Sequence, residues 1–198
     1  CTSAVVSGKV TPDGRPLLWK NRDTDFMRNH VDYVKGERYD FIAVVNSANA
    51  YLKEAWMGTN SAGFALMNTQ SYNLVDVKGD EERGAANGRV IYRALEVCAT
   101  VEDFCHFLDT ISKPSDIEAN FGVIDAQGGA AMFEVDYHKY VMYDANNPKD
   151  APYGYIARTN FSFAGKVNEG AGYVRYMEAD QVLMKASATG NITPQFIF

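Results

Sequence analysis

The sequence predicts an α+β fold built on antiparallel sheet. Strand-like segments come first, two helical segments follow, strands resume, and one more helix closes the chain. A parallel sheet would alternate strand and helix, whereas this order segregates them. The strand segments are rich in β-branched and aromatic residues and are punctuated by Gly, Asn and Pro clusters, and the helical segments repeat apolar residues at helical spacing.

Residues 4 to 10 and 15 to 20 read as two strands around Pro12-Asp13-Gly14, with Gly supplying a positive φ. Segments 39 to 46, 51 to 58 and 62 to 68 are further strand candidates. From Asn87 to Cys98 the residues Val90, Ile91, Ala94, Leu95 and Cys98 share one helical face; Val101, Phe104, Cys105, Leu108 and Ile111 repeat the pattern. Thr100 and Asp103 have the spacing of a capping box between them, and Pro114 closes the pair. Strands are expected again at 120 to 125, 130 to 136, 139 to 144 and 153 to 159, with turns at Gln127-Gly128-Gly129 and Asn146-Asn147-Pro148. A last helix is expected from Tyr173 to Ala186, stopped by Gly190. Gln195-Phe196-Ile197-Phe198 reads as the start of an apolar strand that stops short.

At 198 residues the chain suits one domain, residues 1 to 198, with a core large enough to need no disulfide. Sixteen Gly and six Pro are an ordinary share, so collagen-like and low-complexity readings fall away. The net charge of −6, without a Lys/Arg block, argues against nucleic acid as a partner. No apolar run approaches the roughly 18 residues of a membrane span.

Three His residues form no zinc-type spacing, so no metal site is expected, and no Walker loop, G-x-G-x-x-G or G-x-S-x-G appears. Cys98 and Cys105 lie on apolar helix faces and read as inert buried thiols. Cys1 differs. An α-amino group has an ordinary pKa near ~8, so at neutral pH a fraction is free base and can accept the proton of a thiol on the same residue. Two other readings compete: a processing accident, or the lipid-bearing Cys of a lipid-anchored binding domain. Against the second, no flexible tether follows Cys1.

Cys1-Thr2-Ser3, the Asp13-Gly14 turn and Lys20-Asn21-Arg22-Asp23, with its N-x-D, resemble the opening of the cysteine N-terminal nucleophile (Ntn) hydrolases. These include the acyl-coenzyme A:6-aminopenicillanic acid acyltransferases, penicillin V acylases, choloylglycine hydrolases and acid-ceramidase-like amidases. G-T-N-S-A-G-F-A-L-M-N at 58 to 68 resembles the acyltransferase branch. Thr159-Asn160 matches the T-N that these enzymes place beside the nucleophile, and Gly172-Tyr173-Val174-Arg175 resembles a segment that opens a helix with an Arg.

The resemblance implies a four-layer αββα sandwich with two antiparallel sheets, acting as an amidohydrolase or acyltransferase on linear, non-peptide C–N amide bonds. Cys1 would be the nucleophile and form a thioester, Asp23 would hold its amine or thiol, Asn160 would donate to the oxyanion, and Arg175 would balance charge. Asn68 would lie where choloylglycine hydrolases place a second oxyanion donor. Lys20 stands where those hydrolases carry Arg, with Arg22 in the variable slot, and both are candidates for substrate binding. No cofactor is implied; the substrate would be a small amide of the N-acyl amide, penicillin or bile-acid conjugate class, with hydrolysis favoured over transfer. The family's nucleophile-bearing chains are longer, so both ends read as cut ends of a larger precursor lacking a C-terminal portion. A second subunit from that precursor, a homo-oligomer, and a cytoplasmic, periplasmic or secreted bacterial location all stay open.

Overall fold

The computed structural model describes residues 1–76 and 82–197. Among them the strands form two antiparallel sheets. The smaller has β1 (Thr2–Val6) at its centre, between β2 (Leu17–Asn21) and β10 (Tyr155–Arg158). The larger runs in chain order: β3 (Asn29–Val34), β4 (Phe41–Asn46), β5 (Met57–Asn60), β6 (Ala65–Gln70), β7 (Ala119–Ile124), β8 (Ala130–Val135) and β9 (Tyr140–Asp144). Helices α1 (Asn87–Val97) and α2 (Val101–Thr110) separate β6 from β7, and α3 (Tyr173–Ser187) follows β10. No helix among the described residues is long and apolar enough to cross a membrane.

The expected hairpin pairs as anticipated, but its first strand ends early. Ser7 Oγ accepts from the Lys9 N–H and starts a 3₁₀ turn over Gly8–Val10, an alternative that short hydroxyl side chains offer the backbone. Of the strand expected at 51 to 58, Tyr51 and Leu52 end a 3₁₀ segment, Ser47–Leu52, Lys53 follows in the left-handed region at φ 55°, and only Met57 and Gly58 join a strand, β5. Strand β3 was not anticipated: it is an edge strand, mostly exposed, and so lacks a buried-face signal. The capping box forms between Thr100 and Asp103, and Gly190 adopts φ 66° just beyond α3. Pro194–Ile197 form a short helix, α4, where an apolar strand was expected from Gln195 to Phe198; Phe198 lies outside the described residues. Thr193 Oγ1 accepts from the Phe196 N–H, and Pro at the first helical position favours that start.

Alternation along the strands sorts side chains into layers. Leu66, Phe121, Val123 and Phe133 pack with Ile91, Leu95, Phe104 and Leu108 of α1 and α2. Val5, Met67, Met132 and Ile156 meet between the sheets. Ala4, Val6, Tyr155 and Ala157 pack under Leu183 and Ala186 of α3. Helices, large sheet, small sheet and helix therefore stack in four layers.

Candidate active site

Strand register assembles the site. Ser3 pairs with Arg158 in β10, so two residues further along the same ladder Cys1 stands opposite Asn160. Thr2 pairs with Asn21 in β2, which brings Arg22 opposite Cys1 on the other side. Val5 faces the space between the sheets, and the two-residue period puts Ser3 and Cys1 on that side too.

The α-amino group of Cys1 donates to Asn160 Oδ1 at 3.0 Å. The same oxygen accepts from Arg175 Nη2 at 2.7 Å, while Arg175 Nη1 reaches the Cys1 carbonyl and Thr2 Oγ1. Asn160 Nδ2 donates to the Gln70 carbonyl at 2.9 Å, tying the small sheet to β6. Of its two N–H bonds, one is thus spent inside the protein. Burial, then Arg175 and Lys20 against the opposing pull of Asp23, lowers the Cys1 amine from 8.0 to about 6. At pH 7 the free base then prevails roughly tenfold. Burial drives Cys98 the other way, up to about 12, and also raises the Cys105 thiol.

The segment carrying Asn160 is held from beneath. Asn120, fully buried in β7, donates to Thr69 Oγ1 and to the carbonyls of Thr159 and Phe161, and accepts from Ser162 Oγ. Gly172, at φ 86°, starts α3 against the site: a Cβ there would lie 2.6 Å from Arg175 Nη2 and 2.8 Å from Thr159 Oγ1. Only glycine lets the guanidinium and this backbone approach so closely.

The structure thus brings Cys1, Asn160 and Arg175 together. Asp23 joins through its backbone carbonyl, which accepts from Cys1 Sγ at 3.7 Å; its exposed carboxylate makes no hydrogen bond to Cys1. Lys20 Nζ donates to the Trp56 carbonyl at 2.9 Å and to Asn68 Oδ1 at 3.0 Å. Asn68 shares the helix-facing register of Leu66, so it touches the site through Lys20. Arg22 binds Asn29 and Asn46 and lies over the Trp56 ring at 5.3 Å. Sequence reasoning missed Thr2, Gln70 and Asn120. Thr2 sits inside the quoted C-T-S, but Gln70 acts through its carbonyl and Asn120 through tertiary contacts, so neither leaves a local signal.

The profile of the acyl-coenzyme A:6-aminopenicillanic acid acyl-transferase family matches residues 10–181. Among solved structures, an N-acylethanolamine-hydrolyzing acid amidase ortholog from Caenorhabditis elegans superposes with a TM-score of 0.71 at 15% identity, covering 100% of this chain and 83% of that one. A variant of conjugated bile acid hydrolase from Clostridium perfringens superposes with a TM-score of 0.63 at 14% identity, covering 98% of this chain and 75% of that one. At these identities the likeness is one of fold, and the four-layer αββα arrangement expected from the resemblance is the one observed. No curated protein matches the chain by sequence.

Proposed function

The chain belongs to the acyl-coenzyme A:6-aminopenicillanic acid acyl-transferase family, and from that premise we propose that it cleaves linear, non-peptide amides through an acyl thioester on Cys1. The observation that carries this reading is the pairing of a thiol with its own partly buried amine, which donates to Asn160 Oδ1 while Arg175 holds that oxygen and the Cys1 carbonyl; burial lowers the amine to about 6. This chemistry requires a free α-amino group on Cys1, and residues 1 to 198 are read as one Ntn hydrolase domain.

The Cys1 amine takes the thiol proton, directly or through one water, and Sγ attacks the amide carbonyl carbon. Negative charge develops on the carbonyl oxygen, which the second Asn160 N–H stabilises, a contact worth about 3 kcal/mol of barrier. Collapse breaks the C–N bond, and the leaving amine takes the proton from the Cys1 ammonium. Water then gives a proton to the Cys1 amine and attacks the thioester, releasing a carboxylic acid and restoring the thiol. Arg175 fixes the Cys1 carbonyl and the Asn160 oxygen, so amine and thiol keep their relative position. Every proton transfer has a donor and acceptor within the chain or in water, so no cofactor is required. A lipid on Cys1 would compete with these contacts, which disfavours the anchored-domain reading.

Incubation with penicillin V, conjugated bile acids and N-acyl amides tests the proposal. The protein should release amine from at least one class, and Cys1→Ala should release none. Equal turnover by Cys1→Ala would overturn it.

A further inference from the structure

The backbone that carries Asn160 lies past the end of its strand. Strand β10 stops at Arg158, and Asn160 forms an isolated bridge to Ala171, with its N–H and carbonyl paired at 3.2 and 3.1 Å. Side chains take over where the ladder stops. The Asn120 carboxamide donates to the carbonyls on both sides of Asn160, those of Thr159 and Phe161, at 3.3 and 3.1 Å. One residue further on, the Asn73 carboxamide holds both backbone groups of Ser162. Its Oδ1 accepts from the Ser162 N–H at 2.8 Å, and its Nδ2 donates to the Ser162 carbonyl at 2.9 Å.

Hydroxyl groups join the two carboxamides. Ser162 Oγ donates to Asn120 Oδ1 at 2.6 Å, and Ser71 Oγ lies 2.8 Å from Ser162 Oγ and 3.0 Å from Asn73 Oδ1. One proton order satisfies them all: Ser71 donates toward Ser162 and Asn73, and Ser162 donates to Asn120. Thr69 Oγ1 accepts from Asn120 Nδ2 and ties the network to β6. Thr69, Ser71, Asn73, Asn120 and Ser162 are each at most 2% exposed. Apolar side chains would fill this space without desolvating so many polar groups, whereas a fully bonded polar network fixes one geometry. Here the geometry fixed is that of Asn160, whose Oδ1 takes the Cys1 amine and whose Nδ2 meets the Gln70 carbonyl.

We propose that Asn120 and Ser162 are positioning residues for acyl transfer at Cys1: they set the Asn160 carboxamide so that its free N–H lies where the substrate's carbonyl oxygen gains charge. This rests on the thioester reading of Cys1, with Asn160 as oxyanion donor, and adds two residues that act through Asn160 without touching substrate.

The test is release of p-nitrophenolate from p-nitrophenyl acetate by the wild type, by Asn160→Ala, Asn120→Ala and Ser162→Ala, and by the double variants that combine Asn160→Ala with each of the other two. Asn120→Ala should lower kcat about 10- to 100-fold with KM little changed, as misplacement of a catalytic donor does, and Ser162→Ala should lower it by a smaller factor. In the Asn160→Ala background neither substitution should slow the reaction further, because the donor they position is already gone. A purely structural role would lower kcat by the same factor in both backgrounds. That result, or single variants as fast as the wild type, overturns the proposal. If the urea transition shows that Asn120→Ala does not fold, Ser162→Ala carries the same cycle, since it removes one hydroxyl and leaves both carboxamides. The underlying reading is judged separately. If Asn160→Ala is as fast as the wild type, the oxyanion role of Asn160 fails and the positioning role with it. If Asn160→Ala is slow while Asn120→Ala and Ser162→Ala are not, the positioning role alone fails.

Discussion

In the mechanism proposed for Cys1 the proton acceptor and the thiol share one residue, so the pH at which the thiol is activated should follow the α-amino group. With that amine lowered to about 6, acylation of Cys1 should fall as pH drops through 6 and be near full above 7, not wait for the ordinary 8.0. Arg175 is a cation that disfavours the ammonium form, so Arg175→Met should move the inflection upward, toward 8.0. A pH–rate profile of acylation by p-nitrophenyl acetate checks both; an inflection that stays put in the variant removes Arg175 from this role. The candidates Cys1, Asn160 and Arg175 were legible in sequence because each sits in a short motif that resembles one of the family, and hydrogen bonds bring the three together. The destinations of Lys20, Arg22 and Asp23 were not. Adjacent in the chain, they diverge: Lys20 runs to Asn68, Arg22 to Asn46, and Asp23 contributes its carbonyl, choices made by partners far along the chain.

Among the elements, β1 and β10 matter most, since their register sets Asn160 opposite Cys1. The turn after β10 is pinned by Glu134 of β8. Fully buried, it pairs with Arg158 at 2.7 Å and accepts from the N–H groups of Phe163 and Ala164. Glu134→Ala leaves Arg158 buried and unpaired, so urea unfolding should show a loss of about 3 to 5 kcal/mol. A loss below about 1 kcal/mol would mean that the pair does not hold this turn. The amphipathic α1 and α2 and the hairpin β7–β8 were readable because their burial is one-sided or complete, the Thr100–Asp103 capping box separates the helices, and Gly128 and Gly129 mark the hairpin turn. Strand β3 was not, because an exposed edge strand needs no apolar face. The residues Gln195 to Ile197 misled for a related reason: apolar content names burial, while Thr193 and Pro194 decide the backbone.

For the molecule as a whole, the segregated order of strands and helices was enough for α+β, and the resemblance added the four layers. What composition could not show is that residues 1, 160 and 175 meet, since that depends on both sheets and α3 closing at once. Reactivity of Cys1 should therefore belong to the folded chain alone. The direct measurement is the intact mass of the native protein, acid-quenched after brief exposure to p-nitrophenyl acetate, followed by peptide mapping. The account predicts one acetyl group on Cys1, labile to hydroxylamine as a thioester is, absent from Cys98 and Cys105, and not selective once urea has unfolded the chain. Acetylation spread evenly over the three thiols of the native protein, or a Cys1 that stays unmodified, would contradict it.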